Sequence, residues 1–516
     1  MPEQHADVIV VGAGSAGCVV ARRLIDQGDQ RVLLLEAGPD AAQHVPELDS
    51  PNYWPLLHAE DLRRKFFVPD LIALPRDQRV QKLYLRGRGL GGSSSVNAMT
   101  ALRPEPESFE RWADHGIAEW SWANIAPVFP RITDDGDREP DSACSPPIAI
   151  RHAPLEEWSV ADTALLEAAL ALGHPWLDDV NAPGVSGVAC YPGNVRAGRR
   201  VSAYSGYLEP VRNHRKLEIR TNTLVRRVLL NERRAAGVEL ETGERLLAPE
   251  VIISAGALHT PGILQRSGIG HPADIAPLGV EPCIERLGVG RNLFDHAYVG
   301  TSIELKQTDA LRDDRLRPLN CCVRFSSHLE HGANNDLLIH TEYRHGAAPG
   351  GHDDAGVDVW LMHAHSRGSV RARSPHAEDA PQILLNLLSD DLDLQRLRIG
   401  FRRLTELCRH PAMCQIARQH FAGDYDQPLH EVASFSDDSL DDWLKANVND
   451  LAHAMGTCRM GTGADDHAVV DSACRIIGVT GLRVIDASVI PEDPRANINL
   501  TVMAVAEHAI ALNPPR

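Results

Sequence analysis

The chain switches repeatedly between apolar runs and helical spacing, and the switches outline its elements. Asp7, Val8, Ile9, Val10 and Val11 make an apolar run of buried-strand length. Gly12, Gly14 and Gly17 follow at once. Val19, Val20, Leu24 and Ile25 then recur at helical spacing, which predicts a helix over 15–28. A second apolar run over 31–36 ends on Glu36. Strand, glycine turn, helix and strand in this order predict a nucleotide-binding unit. Helices are also predicted over 162–172 and 391–409, and a buried strand over 251–255 that stops at Gly256. Segments 217–221, 226–230 and 237–240 alternate as antiparallel strands do. A last strand and helix over 483–511 follow His453.

Stretches rich in Pro and Gly at 39–55, 134–147, 181–198 and 345–356 are expected to be loops or domain crossings. The pattern predicts a dinucleotide-binding domain assembled from separated pieces, with a second domain inserted. A nucleotide unit at the front and a candidate base near the back point to one redox site built from distant segments.

Composition narrows the function. The 516 residues suffice for two or three domain-sized units. A net charge of −18 without a basic stripe disfavours nucleic acid as a partner. No apolar run reaches membrane-spanning length, and the short polar start gives the expectation of no secretory leader. The ten cysteines are scattered without a CxxC pair, so a reduced chain in the cytoplasm is expected. His363 and His365 have no further ligand spacing around them, and no metal is expected.

The three glycines of the first turn serve different ends. They allow a tight turn, backbone approach to a pyrophosphate, and close packing of helix on strand. The start of the helix at Ser15 and Ala16 offers free N–H groups to phosphates. Glu36, and Ala37 after it, end the second strand where an acid can accept hydrogen bonds from ribose hydroxyls. A carboxylate there opposes a 2′-phosphate by charge. This motif fits FAD and NAD alike. Segment 87–99, GRGLGGSSSVNAM, packs small residues so that backbone can lie against a flat ligand.

The chain resembles the glucose–methanol–choline (GMC) oxidoreductase family. Segment 87–99 is similar to its first signature and 256–270 (GALHTPGILQRSGIG) to its second. Segments 288–296 (GVGRNLFDH), 453–457 (HAMGT) and 484–491 (VIDASVIP) are similar to later blocks, in the family's order. The resemblance implies an α/β protein: a Rossmann-like FAD domain with an inserted substrate domain on an antiparallel sheet. The expected division is 1–155, 196–300 and 450–516 for FAD, and 156–195 and 301–449 for substrate. Gly12, Gly14, Gly17 and Glu36 would hold the ADP half, and Val225 would contact adenine through its backbone. Arg88, Gly92, Ser95, Asn97, Ala98 and Met99 would line the flavin side. Asp486 and Ala487 would approach the pyrophosphate and ribityl chain. Asn497 and Ile498 would open the last helix toward the flavin. Val96 stands where some members carry a tethering His, so FAD is expected without a covalent link.

Alcohol oxidation removes an O–H proton and a C–H hydride from one centre. A neutral imidazole is suited to taking the proton. The resemblance implies His453 as the base and Asn499 as its partner, with Asn497 packed near the flavin. The expected reaction is oxidation of a CH–OH group to an aldehyde, the substrate a primary alcohol, aromatic or furanic, and the acceptor O2 or another oxidant. The alternatives are a choline-like or polyol dehydrogenase and a non-redox hydroxynitrile lyase on the same scaffold. Ala452, small where relatives carry an aromatic residue, either leaves space for a larger substrate or varies as a packing position.

Overall fold

The computed structural model describes residues 5–28, 30–40, 45–76, 81–135, 146–306, 316–345, 349 and 351–514. Five strands form an all-parallel sheet in the order Leu217–Arg220, Val32–Leu35, Val8–Val11, Glu250–Ile253, Leu482–Val484. Val8–Val11 and Val32–Leu35 are buried at every position, because a parallel sheet is covered on both faces. The segment 217–221 is a strand, but it runs parallel to its neighbour and not antiparallel. Its alternation of buried Leu217 with exposed Glu218 reports a sheet edge half in solvent, which strand direction does not determine. The alternating segments 226–230 and 237–240 do pair antiparallel, in a separate sheet of Val225–Asn231, Arg234–Leu240 and Arg245–Leu247.

The two ends of the chain pack together. The helix Ser15–Gln27 leaves the first strand through Gly12, whose φ is +98°. A Cβ on Gly17 would stand 1.9 Å from the Gly12 carbonyl oxygen, so the helix lies directly on the turn. The last helix, Ile498–Leu512, lies against it. The Ser15 hydroxyl donates to Asn499 Oδ1 at 2.9 Å, and Arg23 pairs with Glu507 at 2.7 Å.

A nine-stranded, mainly antiparallel sheet forms the other half of the molecule. At its centre run Ala297–Leu305, Asp354–Leu361, Leu337–Arg344 and Cys321–Phe325. Side chains alternate between faces along each strand. Val359 and Leu337 meet Gly400 of the helix Asp391–Cys408, and Thr341 bonds Asp162 of the helix Val160–Ala171 at 2.7 Å. His340, Glu342, Asp358 and Trp360 consequently point from the opposite face.

The stretches expected to be loops carry more order than their composition implies. Segment 39–55 contains the helix Pro46–Asp49 and the start of Trp54–His58. Segment 181–198 supplies the buried strand Gly187–Cys190, paired with Cys321–Phe325, and 345–356 runs into Asp354–Leu361. Pro and Gly mark where the backbone bends, but edge pairing is available to whatever lies between the bends. Of these stretches, 41–44, 136–145, 346–348 and 350 lie outside the described residues. Among the described residues no helix is long and apolar enough to cross a membrane.

Candidate active site

A cavity of about 1170 Å³ is walled by the parallel sheet's turns and by the free face of the nine-stranded sheet. It exceeds the roughly 300–1,000 Å³ of a site for one small ligand. Gly12, Gly14, Ser15, Ala16, Glu36 and Ala37 line it from the front of the chain. Arg88, Gly92, Asn97, Ala98 and Met99 line it from the glycine–serine block, and Val225 from the three-stranded sheet. His453, Asp486, Ala487, Asn497, Ile498 and Asn499 line it from the C-terminal segments. Two expected residues do not. Gly17 sits behind the turn, where only its missing Cβ matters. Ser95 turns its hydroxyl away to donate to the Leu90 carbonyl at 2.9 Å, and Ser93 faces the cavity in its place. In the tight turn of helix Gly92–Ser95, residues two apart point in different directions, a detail that composition does not record.

The front of the cavity is a cradle of backbone. A Cβ on Gly14 meets no protein atom within 4 Å, whereas one on Gly92 would lie 2.8 Å from Gly14 Cα, so the two glycine segments touch. The helices Ser15–Gln27 and Ile498–Leu512 both begin at this cavity, and neither has a side chain capping its first N–H groups. Two positive helix ends are left for negative charge. Glu36 accepts from the backbone N–H groups of Ala13 and Gly38 at 2.8 Å and of Gly89 at 3.0 Å. Those bonds leave one of about four acceptor positions on its carboxylate. Burial pushes Glu36 up, while these donors and Arg88 favour its anion. Asp486 accepts from Gly256 N–H, the Thr260 hydroxyl and Ser488 N–H at 2.8, 2.6 and 2.8 Å. It organises the turn before the helix Thr260–Arg266 and has little acceptor capacity to spare. An uncapped pair of helix ends, a glycine cradle and a terminal acid suit a dinucleotide.

His453 stands at the other end of the cavity. Its backbone N–H donates to Asp295 Oδ1 at 2.9 Å. Ala452 before it is left-handed, with φ 56°, and its carbonyl accepts from Arg86. His453 Nδ1 lies 2.9 Å from His296 Nδ1, and His296 Nε2 lies 2.9 Å from Asp493 Oδ1. On the cavity side His453 Nε2 lies 3.5 Å from Asn497 Nδ2. The Asn497 carbonyl accepts from the Tyr191 hydroxyl at 3.0 Å, which fixes which way its amide points. Burial, with the neighbouring His296 and Arg86, holds His453 well below the usual histidine range, so the ring is neutral.

The neighbour of His453 is therefore Asn497, not Asn499. Asn499 lies further along the last helix, facing the first helix through its bond to Ser15. Asn497 is the N-cap, with non-helical backbone, and that conformation swings its side chain back toward His453. Sequence reasoning also missed Tyr191, His296, Trp360 and Asp493. The Trp360 ring meets His453 edge-on at 6.3 Å, and His340 meets Trp360 at 4.4 Å. The aromatic surface beside His453 thus comes from a strand far upstream in the chain.

Beyond Trp360 the wall becomes acidic. Asp358 and Glu342 line the cavity two positions along their strands from Trp360 and His340. Asp358 lies over Gly300, where a Cβ would be 2.1 Å from its carboxylate oxygen. Burial and the mutual repulsion of the two acids push Glu342 up to about 8. Burial, with Asp424 and Asp354 adding to it against Arg344, pushes Asp358 up to about 7. A partly buried acid inside an otherwise buried strand, as in DAGVDVWL, was the available signal. His363 and His365 meet edge to face at 4.7 Å beside Arg111, and among the described residues no cluster of His, Cys, Asp and Glu could hold a metal ion.

Comparison with known proteins agrees with this geometry. The N-terminal and C-terminal models of the GMC oxidoreductase family match residues 6–298 and 364–506. The 5-(hydroxymethyl)furfural oxidase of Methylovorus sp. (strain MP688) is 34% identical over 530 residues, covering 98% of each chain. The mitochondrial choline dehydrogenase of Mus musculus is 32% identical, covering 97% of this chain and 88% of its own. A crystal structure of pyridoxine 4-oxidase from Mesorbium loti superposes with a TM-score of 0.86 at 29% identity, covering 98% of this chain and 99% of its own. The chain belongs to the GMC oxidoreductase family, whose members are FAD-dependent oxidases and dehydrogenases of alcohols.

Proposed function

We propose that this enzyme oxidises a primary alcohol to its aldehyde, with His453 Nε2 taking the hydroxyl proton and Asn497 steadying the oxygen that loses it. The juxtaposition of His453 and Asn497 inside the cavity carries the reading. FAD, when bound, would supply the hydride acceptor. Gly12, Gly14, Ser15 and Glu36 would hold its ADP half, with Val225 toward the adenine. Arg88, Gly92, Asn97, Ala98, Met99 and Ile498 would hold the flavin end. Asp486 and Ala487 would shape the turn toward the pyrophosphate. Val96, which lines the cavity, has no nucleophile, so the cofactor is held without a covalent bond. The FAD-binding part comprises 1–155, 196–300 and 450–516, and the substrate part the remainder. A cytoplasmic location rests on cysteine usage, nine thiols being free among the described residues.

Two features of the wall favour different alcohols. Trp360 beside His453 favours a flat ring, aromatic or furanic, as in the relative that oxidises hydroxymethylfurfural. Glu342 and Asp358 favour a second reading, an alcohol with a cationic group, as in the choline dehydrogenase relatives. One experiment separates them. Anaerobic titration with benzylic, furfuryl, aliphatic and ammonium alcohols should bleach the oxidised flavin bands with one class. Admission of air then tells an oxidase, by rapid recovery, from a dehydrogenase. A flavin that no alcohol bleaches would sink the proposal and return the non-redox lyase.

A further inference from the structure

The His453 ring is wired to groups that no substrate can reach. We propose that Asp493 and His296 are positioning residues. Together they hold His453 in the tautomer with a bare Nε2, and they stabilise the positive charge that arises when that nitrogen takes a proton. The inference rests on the proposed role of His453 as base.

Hydrogen-bond directions select the tautomer. Asp493 Oδ1 accepts from Arg495 N–H at 2.8 Å, and its Oδ2 accepts from Ala364 N–H at 2.8 Å. A carboxylate so surrounded is an acceptor only, so the 2.9 Å contact to His296 Nε2 requires a proton on that nitrogen. Asp493 outweighs burial and pushes His296 up, so the pair of rings holds an extra proton at low pH; once that proton has left, His296 presents a lone pair at Nδ1. The 2.9 Å contact between the two Nδ1 atoms therefore needs its proton on His453. That leaves His453 Nε2 bare. The cavity side agrees independently: the Tyr191 hydroxyl donates to Asn497 Oδ1, which turns the amide NH2 toward His453 Nε2 as a donor. Two chains of bonds, entering from opposite sides, specify the same tautomer.

The relay is also closed to water. His296 and Asp493 are fully buried, both side chains 0% exposed. When His453 Nε2 receives a proton, the new charge lies one ring away from a buried carboxylate, and Nδ1–H can move to His296 Nδ1, next to Asp493. Among the described residues, the other charged or titratable groups facing the relay are Asp295 with its partner Tyr84, Arg86, Arg111 and His363. Asp295 binds the His453 backbone and not its ring, which leaves Asp493 as the carboxylate in line with the imidazole.

The test compares Asp493→Asn with His296→Gln in the FAD-loaded enzyme, reading the rate of anaerobic flavin reduction against pH. Loss of the carboxylate should lower the plateau rate by roughly 100-fold. It should also move the acidic limb of the profile down by about one pH unit or more, because the protonated ring pair loses its counter-charge. A role in packing alone lowers FAD content or melting temperature but leaves the limb where it was. His296→Gln breaks the connection at its middle and should lower the plateau equally, so it decides the matter if Asp493→Asn does not fold. A wild-type limb and a rate within about threefold of wild type, in either variant with full FAD content, would overturn the proposal. His453→Ala, run alongside, separates the two readings. If it too reduces flavin normally, the base assignment has failed; if it alone is slow, only the relay has.

Discussion

The cavity has two unlike walls. One is made of backbone: glycine turns, uncapped helix ends and short loops of the parallel sheet, with Glu36 and Asp486 spent largely on organising neighbouring N–H groups. The other is made of side chains, His340, Glu342, Asp358 and Trp360, projected from the free face of an antiparallel sheet. The first wall suits a group that never varies and the second a group that must be selected. A backbone cradle depends on glycines whose replacement crowds either the fold, as at Gly17, or the space in front of it, as at Gly14. A side-chain wall can change one residue at a time without disturbing the strands that carry it.

That contrast is open to direct challenge. The largest effects belong to the backbone wall. Gly17→Ala forces a Cβ to within 1.9 Å of the Gly12 carbonyl and should destabilise the fold by about 3 kcal/mol or more. Gly14→Ala meets no protein atom, so it should leave the melting temperature of the FAD-free protein unchanged while weakening FAD binding. Calorimetry with and without FAD checks both, and equal losses of stability would break the distinction. Next in size is the pair of asparagines. Asn497→Ala removes the amide that faces His453 and should slow flavin reduction on the order of 100-fold with FAD retained. Asn499→Ala removes only the bond to Ser15 and should change the rate within about threefold. A reversed order would return the partner role to Asn499.

The smallest effect sharpens the selecting wall. Glu342 and Asp358 have raised pKa values, about 8 and about 7, so both are mainly protonated near pH 6 and charged near pH 9. An alcohol with a fixed positive charge should therefore show a KM that falls by about tenfold across that range. Its neutral isostere should show none of this, and Glu342→Gln with Asp358→Asn should abolish the difference. A flat KM for the cationic alcohol would leave the ring-binding reading alone.

How much of this was legible beforehand follows the same division. The turn at Gly12, Gly14 and Gly17, the acid at 36 and the block at 87–99 are contiguous patterns, and their glycines announce close backbone approach. His453 could be singled out only with the ordered family blocks, being one of 24 histidines. Asn497 and Asn499 stand two positions apart, about 200° around a helix axis, and only the position of the N-cap decides which meets the imidazole. The acidic wall and Trp360 depend on strand pairing across long separations, such as His340 with Asp358, which no local pattern encodes. His296 lay within a recognised block, but its role emerges only when Asp493 and His453 are seen on either side of it. Strand 217–221 misled because alternation records exposure, and an edge strand alternates whichever way its neighbour runs.

Rapid mixing tests most directly whether His453 is the base of an alcohol-oxidising flavin site. Wild-type enzyme and His453→Ala, matched for bound FAD, would each be mixed anaerobically with the alcohol that best bleaches the wild type, and the loss of the oxidised flavin band followed in time. Reduction should be slower by roughly 10²–10⁴-fold in the variant, with the flavin still bound. Equal rates in the two proteins would remove His453 from the chemistry.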